Sequence, residues 1–394
     1  MNSAGEDGKT KAIKAAKAFE FYVRAVWPFH RYFALNKINK RCQRCAASER
    51  MIPLDSSGLC KKCLDFSKSS DRESVTVTSS RKSKELQDKT LFQELLRTYQ
   101  GAGKGQYDAL VMYSGGKDSS YLIRRIQEEF PQLRVLAFTV DNGFMSPVAK
   151  ENIEFLIPKL KVDHLFLKPK KELYIKLFKY ALTHLNEEGS YGTVDFSDGE
   201  LMLDLARNIA AEKGIPLILC GYSKYQVQNG LKLQNFESPR EREFSDRTET
   251  AKIPLKNIFN PEELKYRWQG SLWPKASVAR LLFPLYCWDL EEAEILAKVQ
   301  EWGLTSPKNY SPIVTNHQLI PLCGVVDVHQ NGYSSFENEF CRMIREGKAD
   351  KDHWQKVFEF LEYTSKTGLF VRSTVLESLQ QLGLSIEDVG IKFS

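Results

Sequence analysis

The stretch ALVMYSGGKDSSYLI (Ala109–Ile123) decides how the chain is read. Its apolar start has strand composition, and SSYLIRRIQEEF after it carries a helical pattern that sets the helix start near Ser120. Between them stands SGGKDS (Ser114–Ser119). A flexible Gly115-Gly116 pair at a helix start exposes backbone N–H groups to an anion, and the helix dipole favours negative charge there. Ser114 and Ser119 add hydroxyl donors, and Lys117 adds charge. Asp118 would repel a bare phosphate, so it either helps hold a divalent cation or fixes the loop. GxxxxGK[ST] is absent and GxGxxG does not occur here, which excludes the nucleotide-kinase P-loop and the dinucleotide fingerprint.

Outward from that turn, residues 107–223 alternate strand-like and helical runs. LRVLAFTVD, DHLFLKP and IPLILCGYS read as strands, and KENIEFLIPKL, ELYIKLFKYALTHL and ELMLDLARNIAAEKG as helices, with EEGSYGTVDFSDG as a loop. Apolar strands that alternate with helices predict an α/β fold with a doubly wound parallel sheet covered on both faces. Such sheets bind ligands at the carboxyl ends of their strands. TVDNGF (Thr139–Phe144) and CGYS (Cys220–Ser223) fall at two such ends, which makes Asp141, Asn142 and Gly221 candidates beside a ligand. Asp-Asn-Gly is equally a turn former, and the two roles are compatible.

Upstream, Cys42-Gln-Arg-Cys45 and Cys60-Lys-Lys-Cys63 are two C-x2-C knuckles with 14 residues between them. Cys42, Cys45, Cys60 and Cys63 can deliver four thiolates to one tetrahedral ion, with structural Zn2+ as the expectation and an iron–sulfur cluster or a lost, metal-free knuckle pair as the alternatives. Gly58 suits the turn before the second knuckle. Four thiolates leave no open coordination position for substrate. Cys220, Cys287, Cys323 and Cys341 lie outside this pattern; buried free cysteines are common, and Cys220 stands out for its strand-end place.

The remaining segments set the domain plan. Residues 1–40 are basic and aromatic. Ala12, Ala16, Phe19, Val23 and Val26 at three- and four-residue steps predict an amphipathic helix that ends before Pro28. This is read as packing on the body, with a partner-binding or RNA-binding arm as the alternative. The cysteine module spans 41–66. Residues 67–83 read as a polar linker, with a helix from near Ser83 to GAGKG, so 67–106 is linker and helix. The nucleotide domain is set at 107–260, and 261–394 is a mainly helical acceptor-binding region that includes the aromatic loop YRWQGSLWP and the loop SPKNYSPIVTN. Arg267, Trp268 and Trp273 suit either contact with a sugar or base or a structural cluster.

Composition narrows the class. Of 394 residues, 42% are hydrophobic and 27% charged, as in ordinary globular proteins. A net charge of +6 is too mild to mark a nucleic-acid binder by itself. No run of 18 apolar residues predicts a membrane span, and the N-terminus lacks a signal-peptide core, so a cytoplasmic protein is expected.

SGGKDS after the first strand of an α/β sheet resembles the PP-loop of the N-type ATP pyrophosphatases, the adenine nucleotide alpha hydrolase-like (HUP) superfamily. The resemblance implies that Ser114, Gly115, Gly116, Lys117, Asp118 and Ser119 bind the pyrophosphate of ATP with Mg2+. Lys117 and Asp118 then serve catalysis, and Asp141 and Gly221 sit beside the nucleotide. It also implies that AMP moves to an acceptor oxygen before a nitrogen or sulfur nucleophile displaces it. The order of IPLDSSGLCKKC, YDALVMYSGGKDSSYLI, LRVLAFTVDNGF, VDHLFLKP, IPLILCGYS, FPLYCWD and FENEFCRMIREGKADKDHW is similar to the N-acetyl sugar amidotransferases of surface-polysaccharide biosynthesis. That likeness covers roughly residues 41–355 and implies ammonia from a separate glutaminase, because the chain lacks a glutaminase module of its own. Arg342 and Arg345, one helical turn apart, become candidates for an acidic substrate, or else a solvated face. The alternatives are a sulfurtransferase acting on tRNA or a small molecule, fed by a sulfur-donor protein and using Cys220, and a non-catalytic nucleotide-binding scaffold. TVDNGF is closer to the sulfur-inserting relatives, whereas no C-x2-C pair follows the PP-loop.

Overall fold

A computed structural model describes residues 14, 17–70, 75–288, 290–304 and 317–394. Ala12 and Ala16 of the N-terminal pattern, and the loop SPKNYSPIVTN, lie outside the described residues. The chain divides into two compact units, one of Met1–Val77, Ile175–Ser197 and Tyr310–Ser394 and the other of Thr78–Tyr174 and Asp198–Asn309.

The second unit carries the sheet. Strands β1 (Ala109–Met112), β2 (Val135–Val140), β3 (Asp163–Leu167), β4 (Leu217–Leu219) and β7 (Arg280–Leu282) are all parallel, in the order β3-β2-β1-β4-β7, with helices over both faces. Residues 109–111 and 217–219 are fully buried, which is why these runs are unbroken Ala, Leu, Val and Ile and not an alternating pattern. The chain winds outward from β1 to β3, then restarts on the other side of β1 with β4. The switch point therefore lies between the carboxyl ends of β1 and β4. β5 (Glu249–Thr250) and β6 (Ile253–Pro254) form a small antiparallel hairpin apart from the sheet. The edge strand β7 was not among the strands read from periodicity: ARLLF offers too few residues for any alternation to show.

The helices are α1 (Trp27–Ala34), α2 (Lys61–Ser70), α3 (Val75–Thr98), α4 (Lys117–Glu129), α5 (Pro147–Leu160), α6 (Lys171–Thr183), α7 (Phe196–Lys213), α8 (Pro284–Trp288), α9 (Glu292–Glu301), α10 (Ile320–Asn331), α11 (Glu337–Arg345), α12 (Lys351–Thr367) and α13 (Arg372–Leu382), besides single turns. Several boundaries depart from the sequence reading. The segment expected as a linker is helical to Ser70 and again from Val75, because no Gly or Pro interrupts residues 61–98 and a polar sequence can still close every backbone bond. α7 starts at Phe196, and a π-helical turn over Tyr191–Asp195 precedes it where a loop was expected.

Pro28 does not end the N-terminal helix. A π turn over Tyr22–Val26, closed by Trp27 N–H donating to Tyr22 O, places Pro28 in the first turn of α1, where its missing N–H costs no bond.

In the first unit, Val23, Trp27 and Ala34 share a buried cluster with the four knuckle cysteines, Cys341, Ile344, Phe358 and Phe360. Trp27 Nε1 donates to Glu359 Oε2 at 3.2 Å, and Arg31 pairs with the same carboxylate at 2.8 Å. The described part of the N-terminal segment is thus a packed element of its unit. Arg41 is buried between Glu337 (2.7 Å) and Glu362 (2.9 Å); burial disfavours its charge, but the two carboxylates outweigh that and raise its pKa.

Candidate functional site

SGGKDS forms the turn from β1 into α4. Gly115 has φ +73°, and a Cβ there would stand 2.6 Å from Ile153 Cγ1, so only glycine fits the turn and lets the backbone lie against α5. Gly116 is the extended cap residue of α4, and Lys117 opens the helix, three residues before the start read from the sequence. Asp118 falls in the first turn, where the helix dipole favours its charge. The hydroxyls interlock: Ser114 Oγ lies 3.3 Å from Ser119 Oγ, Gly116 N–H donates to Ser114 Oγ at 3.4 Å, and Ser119 Oγ donates to Gly116 O at 3.2 Å. Lys117 Nζ meets Asp118 Oδ2 at 2.9 Å and Glu292 Oε1 at 3.4 Å. Burial works against the lysine's charge, yet these two carboxylates hold its pKa above the ordinary value.

The second wall is TVDNGF after β2. Gly143 at φ +82° makes the turn, with its N–H donating to Asp141 Oδ1 at 3.0 Å. Asp141 is buried and paired with Lys150 at 2.8 Å. Asn142 Nδ2 donates to both carboxylate oxygens of Asp198 at 3.0 Å, and its Oδ1 accepts from Phe144 N–H. The loop is therefore both a turn and a pair of fixed polar side chains. Thr139 Oγ1 donates to Tyr113 O at 2.6 Å, which leaves its oxygen to accept from His164 Nε2 at 2.8 Å and assigns that imidazole's proton to Nε2. Burial keeps His164 neutral below its usual pKa.

The third wall follows β4. A Cβ on Gly221 would lie 3.8 Å from Ser119 N and Cα, so the end of β4 borders the first turn of α4 across the switch point. Cys220 is buried, its N–H bonded to Leu282 O, and burial pushes its thiol up to about 12 despite the nearby Arg207. At neutral pH it is a thiol and not a thiolate. Ser114 to Ser119, Asp141 and Gly221 thus gather at one edge of one sheet. Glu292, Lys150 and Asp198, which tie down Lys117, Asp141 and Asn142, escaped the sequence reading because α9, α5 and α7 are brought to the loop only by the fold.

The cysteine quartet is assembled as its spacing predicts. The four Sγ atoms lie within 4.8 Å of one another, all buried. Cys42–Cys63 and Cys45–Cys60 are each 3.7 Å apart, which matches the ~3.8 Å tetrahedral edge set by four bonds of ~2.3 Å. Gly58 takes φ +75°, with Gln43 closing over it. The set fits a single tetrahedral ion.

Arg342 and Arg345 both lie on α11 in the first unit. Arg345 Nη1 donates to Cys45 Sγ at 3.3 Å, and Arg342 pairs with Glu346 at 2.8 Å. Trp268 is fully buried, stacked on Trp273 with centroids 6.3 Å apart, and its Nε1 donates to Glu243 O, so it is part of the core. Arg267 is likewise buried, donating to Glu249 O.

No protein-family model matches the sequence, and no curated protein matches it. Among solved structures, the chain is similar to the U34-tRNA thiolase NcsA of Methanococcus maripaludis with its [4Fe-4S] cluster: 14% identity, TM-score 0.35, over 89% of this chain and 91% of that one. It is also similar to the NH3-dependent NAD synthetase of Campylobacter jejuni (12% identity, TM-score 0.32, 72% and 95% of the two chains). The NAD+ synthetase of Burkholderia pseudomallei follows (13% identity, TM-score 0.33, 75% and 89%). At such identities these are likenesses of chain course and not of chemistry.

Proposed function

We propose that the chain is an ATP-dependent, AMP-forming amidotransferase. The observation that carries this is the SGGKDS turn at the β1–β4 switch point, with Gly115 confined against Ile153 and Gly221 bordering Ser119. Amides of the first turn of α4 and the Ser114 and Ser119 hydroxyls would hold the β- and γ-phosphates, with Lys117 exchanging Asp118 and Glu292 for phosphate oxygens. Mg2+ beside Asp118 would neutralise charge on the departing pyrophosphate. An acceptor oxygen attacks the α-phosphorus, the bond to the β-phosphate bridging oxygen breaks, and pyrophosphate leaves. Ammonia then attacks the activated carbon, forming the C–N bond as AMP departs with the former acceptor oxygen and a proton goes to solvent.

The favoured acceptor is an N-acetyl sugar or uronic acid derivative of a surface polysaccharide, with ammonia from a separate glutaminase subunit. Zn2+ is the ion proposed for Cys42, Cys45, Cys60 and Cys63, and the 3.7 Å sulfur spacings support a single ion over a cluster that seats each thiolate on a different iron. The free thiols suit a reducing cytoplasm, and among the described residues no helix is long and apolar enough to cross a membrane. The nitrogen reading is preferred to sulfur transfer because Cys220 is a buried, protonated thiol. The test is ATP labelled at the α-phosphate, incubated with ammonium and candidate sugars. AMP and pyrophosphate are expected; ADP with phosphate, or turnover that requires a sulfur donor, overturns the reading.

A further inference from the structure

The nucleotide loop leaves unused a second concentration of charge in the sheet-bearing unit. Glu200, Asp204, Arg207, Arg242, Arg247 and Arg267 converge on a small cavity whose other walls are leucines, Phe283 and Ser238. About 10 Å³ is open to the centre of a water-sized sphere, which is room for one small guest. Glu243 adjoins it, bonded to Arg207 at 2.6 Å.

Charge and hydrogen bonding are both incomplete there. Arg207 pairs with Glu243 and with Asp204 at 2.9 Å, and Arg242 Nη2 stands 3.7 Å from Glu200. Arg267 Nε lies 2.9 Å from Asp204 Oδ2 without the alignment of a hydrogen bond. Among the described residues, Arg267 Nη1 and Arg247 Nη2 are buried donors that make no hydrogen bond, although Arg247 stands 3.6 Å from Glu243 Oε1 and 3.9 Å from Asp204 Oδ1. Arg267 is only 2% exposed. Four guanidinium groups thus face three carboxylates, with Arg242 32% exposed and the other three more deeply set. Burial first, and then the neighbouring Arg207, push Arg247 down to about 10.

A water would accept from the donors that lack a hydrogen bond but leave the local excess of positive charge unanswered. A carboxylate or phosphate needs more room than one small guest. A monatomic anion meets both conditions, with guanidinium N–H groups on one side and leucine side chains on the other. We propose that this cavity is a halide site that takes chloride between Arg267 Nη1 and Arg247 Nη2. The anion stabilises the unit that carries the nucleotide loop, and the proposal does not depend on the reaction assigned to that loop.

The test uses the full-length protein. Crystals grown with bromide in place of chloride should show one anomalous peak within hydrogen-bond distance of both guanidinium groups. Replacing gluconate by chloride at constant ionic strength should raise the thermal midpoint saturably, by about 2 °C. Arg247→Gln, at a partly exposed residue, should abolish that dependence. Absence of a bromide peak overturns the proposal, as does a midpoint indifferent to halide in the wild type or a halide response that survives in Arg247→Gln. Should Arg247→Gln fail to fold, the bromide map alone decides.

Discussion

The cysteine module and the SGGKDS turn are both short motifs, yet the fold treats them in opposite ways. The quartet is fully buried, its sulfurs preset at a tetrahedral edge, with Arg345 donating to one of them. The turn keeps its polar groups near the surface, and Lys117, a third exposed, is engaged by Asp118 and Glu292 in exchangeable contacts. One site is complete within its own core, while the other is a turn that glycine alone can make, with side chains that can change partners. A metal that only holds structure gains from enclosure. A polyphosphate that must enter, react and leave requires an open rim and a rigid floor, and under the proposed function Gly115 against Ile153 would be that floor.

This contrast can be broken experimentally. The largest effect is expected from the quartet: Cys60→Ser, or a strong chelator, should unfold the first unit, because a structural zinc site contributes about 10–16 kcal/mol. Bound metal by mass spectrometry and loss of helical circular dichroism would be followed together; a metal-free protein that melts like the wild type sinks the structural role. Next, Gly115→Ala should lower pyrophosphate release about a hundredfold through misplacement of the turn, with the metal content unchanged. Equal activity in that variant would show that the floor is not rigid.

A smaller effect concerns acid. His164 has its pKa depressed by burial, so its neutral form stabilises the fold above the unfolded value of about 6.5. That contribution is lost as pH falls below this value and through the depressed one. Urea midpoints should drop over this window less in His164→Gln than in the wild type, and identical slopes would remove His164 from the account. The smallest effect is expected at Cys220→Ser: less than about a twofold change in ammonium-supported turnover, since a protonated thiol is a poor nucleophile. Complete loss of turnover would favour sulfur chemistry.

How much of this was legible beforehand follows from physical range. Spacing alone is enough for the quartet, because both knuckles lie within one short stretch and need only fold onto each other. The alternation over 107–223 likewise announces four strands of the sheet, as each strand is long enough or apolar enough to read by itself. β7 and the helical start at Val75 were not legible: the first is three residues recruited by β4, and the second lacks an apolar stripe but contains nothing that breaks a helix. Arg345 illustrates the harder case. Its helical spacing from Arg342 pointed to a shared acid-binding face, whereas tertiary packing turns one arginine to a sulfur and leaves the other with Glu346. Glu292 on Lys117 and Asp198 on Asn142 hold the two loops from elements whose approach no local pattern encodes.

The bond from Arg345 to Cys45 joins residues 300 positions apart. On a ribosome adding about 5–20 residues per second, the knuckles emerge roughly 15–60 s before the helix that covers them. During synthesis the thiols therefore wait in a half-built pocket, open to oxidation or to the wrong ion. Early metal capture would act as a placeholder in this chain, holding the first-made module in shape until the last-made one arrives.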